Sequence, residues 1–146
     1  KKAIQQIIED FQNIEPGYVV IPKLYNFADY GVPEFRERVL IVGIRSDTGF
    51  DFNHPSPSHG DGDGLLPYVT VGDAFKGVKD VPHNNEHLRI TARTEKVISL
   101  IPEGGNFTAI PKDNPYYVKG MISHVYRSVK LDEPSKTIIA QAAGAT

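Results

Sequence analysis

Residues 24–45 read LYNFADYGVPEFRERVLIVGIR, and the reading of this stretch decides the fold. Asn26-Phe27-Ala28-Asp29-Tyr30-Gly31 carries turn-forming residues at both ends. It predicts a tight turn or a single helical turn before Val32-Pro33. Residues 37–44 follow as an aliphatic, β-branched run and predict a strand. The second half of that run is apolar at successive positions, which leads us to expect burial on both faces. Upstream, Tyr18-Val19-Val20-Ile21 is a short β-type run that Pro22 is expected to end. Further upstream, residues 1–13 place Ala3, Ile4, Ile7, Ile8 and Phe11 at steps of three and four, the spacing of an amphipathic helix. Pro16-Gly17 stops it. Residues 1–45 thus predict helix, strand, strand, packed as part of an α/β sheet.

Downstream the character changes. Residues 46–67, SDTGFDFNHPSPSHGDGDGLLP, form a Gly/Pro/Ser/Asp stretch with little to bury, and read as the boundary between two subregions. A short helix is expected over residues 71–75 with Thr70 as N-cap. A longer one is expected over residues 91–100, apolar at Ala92, Val97 and Ile98 and closed by Pro102. Residues 101–106 form a turn, and two short strands are expected at 125–131 and 137–140.

Composition bounds the function. The chain has 146 residues, 40% of them hydrophobic, enough for one domain with a core of its own. There is no cysteine, so these residues contain no disulfide, no thiolate metal site and no cysteine nucleophile. No apolar run approaches the roughly 18 residues of a membrane helix. Thirteen glycines and eleven prolines favour a loop-rich α+β or mostly β domain over a helical bundle. The chain starts at Lys1 without an initiator Met, which suggests an internal residue of a longer polypeptide. The net charge is −2, yet it is uneven: residues 1–64 hold 6 basic and 10 acidic side chains, residues 65–146 hold 10 basic and 8 acidic. Any phosphate contact belongs to the second half and should be modest.

Arg36 and Arg38, spaced i, i+2, leave the same face of an extended chain. Two adjacent guanidiniums suit an anionic or carbonyl-rich partner. They equally suit a solvated strand edge with ion pairs to Glu34 or Glu37. His83 and His87 flank Glu86 in a polar loop, without the helix that a zinc-binding HExxH needs. His54 and His59 flank an extended Pro-Ser-Pro and do not converge. Asp61-Gly62-Asp63-Gly64 fails as a calcium loop, since its fifth and twelfth positions are Leu65 and Gly72. Its aspartates would also repel a phosphate, and no strand precedes it. Ser123-His124 are adjacent and would point to opposite faces of a strand. No metal site and no active site assemble from these residues alone.

Residues 24–45 closely resemble the eighth sequence motif of the DNA (cytosine-5) methyltransferases. That pattern is roughly L-N-A-x-D-Y-G-V-P-Q-x-R-x-R-V, then an apolar strand ending in G-x-R. Pro67–Ala74, Ile101–Phe107, Tyr126-Arg127 and Asp132–Ile138 are similar in style to segments of the target-recognition region of bacterial members. The resemblance implies an α/β fold, α+β in the fragment itself. Residues 1–46 would be the tail of a Rossmann-like methyltransferase sheet, and residues 47–146 a loop-rich target-recognition domain. It implies a DNA (cytosine-5-)-methyltransferase that uses S-adenosylmethionine and flips its cytosine out of double-stranded DNA. The methyl-donor motifs, the Pro-Cys nucleophile loop and the Glu-Asn-Val motif precede the eighth motif in the family. Their region is therefore an implied partner, and the fragment alone is expected to bind no cofactor and to be inactive. A bacterial cytoplasmic location at the nucleoid is implied, with no membrane and no metal.

By the same resemblance, Arg38 reaches O2 of the flipped cytosine and Arg36 supports the site beside it. Glu34 stands where the family usually has Gln, and an acid there suits a pair with Arg36. Candidate DNA-reading residues in the second half are Asn84, Asn85, Arg89, Arg93, Asn106, Lys112 and Lys119. The alternative function is a non-catalytic DNA-binding or complementing subunit of a split methyltransferase. A plainer one is a loop-rich domain whose resemblance is inherited and inactive.

Overall fold

An unbroken antiparallel ladder, from Tyr18↔Arg45 to Asn26↔Glu37, joins β1 (Tyr18–Asn26) to β3 (Glu37–Arg45). It is the longest paired element of the computed structural model, which describes residues 2–83, 89–120 and 126–138. Contrary to expectation, Pro22 does not end β1; the register continues through Pro22↔Ile41. Among the described residues the sheet has two strands, so one edge of β1 has no strand partner there, and a proline's missing N–H costs nothing where it faces that edge. The expected burial of β3 on both faces is also corrected. Ile41, Val42 and Ile44 are only half-buried, and Val39 and Leu40 before them are exposed. Two strands offer faces that only short elements cover here: α1 (Lys2–Gln12) packs on β1, with the Phe11 ring edge-on to Tyr18 at 5.7 Å. The predicted helix periodicity holds, but Ile4, Ile7 and Ile8 are only half-buried.

The ten residues between the strands organise the fold. Phe27–Tyr30 is a 3₁₀ turn, capped by the Asn26 side chain and closed by Gly31 at φ +86°. Then β2 (Glu34–Phe35) pairs in parallel with β4 (Ser135–Lys136), a partner about a hundred residues away. The Ser135 amide donates to the Pro33 carbonyl at 2.9 Å, and the Thr137 hydroxyl to the Phe35 carbonyl at 2.9 Å. The strand expected at 137–140 is thus displaced to Ser135–Lys136, because the partner edge is β2; residues 139 and 140 lie outside the described residues. Of the strand expected at 125–131, the described residues give only a single bridge, Arg127 to Asn106. Leu131 instead offers its carbonyl to the Gly72 amide at 2.8 Å, and the Glu133 carbonyl accepts from the Val71 amide.

That contact seats α2 (Val71–Ala74), which begins with a full capping box between Thr70 and Asp73. Gly72 is required there: a Cβ would stand 2.8 Å from the Leu131 carbonyl oxygen. The helix expected at 91–100 is α3 (Ala92–Ser99), N-capped by Thr91. It buries Val97 against Phe107 and Ile110, with Leu100, Ile101, Tyr116, Val118 and Tyr126 around them. The described residues are therefore a mixture of helix and strand with two small sheets, one of them carrying most of residues 24–45.

Two outcomes follow. Gly31→Ala places an L side chain in the left-handed region, costing about 1–2 kcal/mol, and sets its Cβ 2.8 Å from the His59 ring. Urea titration should show a lowered midpoint at unchanged slope. Asp73 is held down to about 2 by the Lys76 ammonium first, then by the Thr70 hydroxyl and amide. Its folded value lies below its unfolded one, near 4. Its contribution is therefore present above about pH 4 and lost as the pH falls through about 2. Melting temperatures of Asp73→Asn should accordingly lose less than wild type across that window.

Candidate active-site segment

Arg36 occupies the one-residue break between β2 and β3, where no strand partner serves its backbone. The turn serves it instead. Asn26 Oδ1 accepts from the Arg36 amide at 3.2 Å, and the Phe27 amide donates to the Arg36 carbonyl at 3.0 Å. Both backbone polar groups of Arg36 are thereby paired, as a half-buried segment demands. Asn26 Oδ1 also accepts from the Ala28 amide at 3.4 Å, and its Nδ2 donates to Asp29 Oδ1 at 3.4 Å. An amide is the side chain that can accept from two amides and donate to a carboxylate at once.

Asp29 ties this turn to the loop beyond. Its carbonyl accepts from the Ser58 and His59 amides at 2.9 and 3.0 Å, and its Oδ1 accepts from the Tyr68 hydroxyl at 3.2 Å. Desolvation pushes the Tyr68 hydroxyl above its ordinary value, with the Asp29 hydrogen bond and charge adding to it. Tyr68 packs edge-on to Phe35 at 5.5 Å, so the loop leans on β2. An open cleft of about 530 Å³ beside this contact is lined by Asp61, Asp132 and Glu133 among others, a lining that disfavours a phosphate.

The two arginines are engaged differently. Arg36 Nη1 meets Glu34 Oε1 at 3.4 Å, with the side chains 34% and 21% exposed. Glu34 Oε1 also accepts from the Ile138 amide at 3.2 Å, so the acid at this position is taken up by its own segment and β4's continuation. Arg38 is exposed, and its Nη1 donates to the adjacent Glu37 carbonyl at 2.6 Å. Directly across the ladder from Arg38 stands Tyr25, which is buried and hydrogen-bonded through its hydroxyl to His54 Nδ1. Sequence pattern alone does not single out Tyr25, His54, Asp29 or Tyr68 as site residues. Their partners lie 29 and 39 residues apart, and a Gly/Pro loop carries no periodicity to announce such pairings.

Two of the candidate DNA-reading residues, Arg93 and Asn106, adjoin the cluster of Val97, Phe107 and Ile110. Arg93, on α3, is exposed, with its guanidinium 5.6 Å from the Tyr116 ring centroid and Nη1 donating to the Pro115 carbonyl at 3.3 Å. Arg89, Lys112 and Lys119 are exposed. Asn106 shapes its own loop: Oδ1 accepts from the Thr108 amide at 3.0 Å and hydroxyl at 2.6 Å, capping the 3₁₀ turn Phe107–Ala109. Asn84, Asn85, His87 and Ser123-His124 lie outside the described residues. His59 bonds its neighbour Ser58 at 2.9 Å and His54 bonds Tyr25. Among the described residues no group of three or more His, Asp or Glu could hold a metal. No described helix is long and apolar enough to cross a membrane.

Comparison with known proteins adds identity to this geometry. The profile of the C-5 cytosine-specific DNA methylase family matches residues 1–145. Type II methyltransferase M.NgoFVII of Neisseria gonorrhoeae is 61% identical over 148 residues, covering 100% of this chain and 39% of that protein. Type II methyltransferase M.BbvI of Brevibacillus brevis is 33% identical over 149 residues, covering 99% of this chain and 38% of its own length. Type II methyltransferase M.BsuRI of Bacillus subtilis is 49% identical over 74 residues, 51% of this chain and 16% of that protein. The chain thus spans about two fifths of the first two relatives. No solved structure matches it.

The Glu34–Arg36 pair makes a checkable claim. Partly exposed pairs contribute about 0–1 kcal/mol, and a glutamine oxygen can still accept from the Ile138 amide. Glu34→Gln should leave stability within about 1 kcal/mol of wild type in urea titration. A larger loss would mean that the charge itself holds the segment.

Proposed function

Because this chain belongs to the C-5 cytosine-specific DNA methylase family, we propose that the complete protein methylates C5 of a cytosine flipped out of specific double-stranded DNA. Residues 1–46 are the closing part of its catalytic domain, and residues 47–146 are its target-recognition domain. The observation that best supports this reading is the segment 34–38 itself. Its backbone is pinned at Arg36 by Asn26 and Phe27, which leaves the Arg38 side chain exposed beside a buried tyrosine. A fixed backbone carrying an exposed guanidinium is what recognition of one carbonyl oxygen requires.

The roles follow. A Cys thiolate and a Glu from the catalytic region outside this chain act at C6 and N3 of the ring. Arg38 donates to the cytosine O2, where negative charge grows as the thiolate adds. Arg36, restrained by Glu34, supports the site beside it. Asn84, Asn85, Arg89, Arg93, Lys112 and Lys119 contact DNA from the second half, while Asn106 shapes the loop that presents its neighbours.

S-adenosylmethionine supplies the methyl group when bound. The residues here do not fit it: β3 runs into the 3₁₀ turn Ser46–Thr48 instead of a glycine loop and helix, and the glycines at 60–64 alternate with Asp61 and Asp63. We therefore assign its site to the region outside this chain. Isothermal titration of residues 1–146 with the methyl donor should give no heat of binding; micromolar affinity would overturn the assignment.

In the complete enzyme, Arg38→Ala deletes a charge-assisted hydrogen bond of roughly 1.5–3 kcal/mol. That bond strengthens toward the transition state. Single-turnover methylation should slow by roughly 10- to 150-fold, with duplex affinity and melting temperature little changed. Arg38→Lys should recover only part of the rate, since an ammonium lacks the planar fork. Normal turnover at normal stability would remove Arg38 from the site.

A further inference from the structure

We propose that Tyr25 and His54 form a positioning pair that sets the direction of the Arg38 side chain; this rests on the assignment of Arg38 to the cytosine made above. Tyr25 and Arg38 are direct partners across β1 and β3. Directly opposed residues of an antiparallel ladder stand on the same face with Cβ atoms about 4.5–5.5 Å apart. The Tyr25 and Arg38 side chains therefore leave the sheet side by side. The Arg38 guanidinium also donates to the Glu37 carbonyl, one residue back along the chain.

The ring is immobilised. Tyr25 is 6% exposed. Its centroid lies 5.2 Å from that of Tyr30, and the Lys23 ammonium sits 5.2 Å from it. Its hydroxyl is bonded to His54 Nδ1, and the imidazole is held edge-on to Phe52 at 5.0 Å. The loop carrying His54 is clamped to the same strand and turn, with the Pro55 carbonyl accepting from the Tyr30 hydroxyl at 3.0 Å and from Lys23 at 3.4 Å.

His54 is more than packing. Its Nε2 is buried and has no hydrogen-bond partner among the described residues. Burying a bare ring nitrogen is unfavourable, and an apolar side chain would fill the same place without that penalty. What the imidazole provides in exchange is Nδ1 on the Tyr25 hydroxyl. The pair thus gives up stability to fix the orientation of one ring, and the residue across from that ring is Arg38.

The test uses the complete enzyme and single-turnover methylation, with duplex affinity and melting temperature measured on each variant. Tyr25→Phe keeps the ring and drops only the hydroxyl, so it preserves the packing that larger changes would disturb. Tyr25→Phe and His54→Ala should each slow turnover by roughly 3- to 10-fold at unchanged duplex affinity. The double variant should be no slower than the worse single one. His54→Asn, whose Oδ1 can accept from the Tyr25 hydroxyl, should recover most of the rate. In an Arg38→Ala background, His54→Ala should cost nothing further. Normal turnover in Tyr25→Phe, or additive losses with Arg38→Ala, overturns the positioning role while leaving Arg38 in the site. Normal turnover in Arg38→Ala alone overturns both assignments, so the two failures are told apart.

Discussion

The Asn26 side chain is the constraint on which the first half of this protein depends. The chain must leave β1, turn, and return as β3 in a fixed register, and Arg36 falls in the gap between the β2 and β3 ladders. Without a strand partner, its amide would be left to water or to chance. Asn26 gives that amide an acceptor, caps the 3₁₀ turn with the same oxygen, and reaches Asp29 with its nitrogen. Asp29 then gathers Ser58, His59 and Tyr68. One amide side chain thus links the turn, the arginine-bearing segment and the loop that covers them.

This arrangement explains why few strong charge interactions are needed. The Glu34–Arg36 pair is partly solvated and weak by its nature. The Arg45–Asp47 and Lys76–Asp73 pairs are surface features. Position is set instead by backbone hydrogen bonds and by ring packing among Tyr25, Tyr30, His54 and Phe52. A guanidinium on such a backbone stays exposed and available, while the segment that carries it is held in place.

Much of this was legible in the residues. The turn at 26–31, the helix spacing of residues 1–13, the Thr70 cap and the apolar run of β3 are local signals, and each appears where expected. The pair between Glu34 and Arg36 was legible too, since i, i+2 neighbours of opposite charge need no tertiary information. What the residues did not disclose is non-local. Pro22 looks like a strand end until the unpaired edge beside it is known. Ile41 and Val42 look doubly buried until the sheet, among the described residues, proves to have two strands. Ser135 and Lys136 pair with β2 because the chain returns there, and two residues carry no strand signature. Tyr25 and His54 meet across a loop whose composition says only that it is a loop.

The central claim is that Asn26 holds the arginine segment, and amide hydrogen exchange reads it directly. In the wild-type protein the Arg36 amide should be protected despite belonging to neither ladder. In Asn26→Ala it should exchange much faster, while amides of the β1–β3 ladder distant from the turn, such as Val42, keep their protection. An Arg36 amide that exchanges freely in the wild type, or one that is equally protected after Asn26→Ala, would contradict the account.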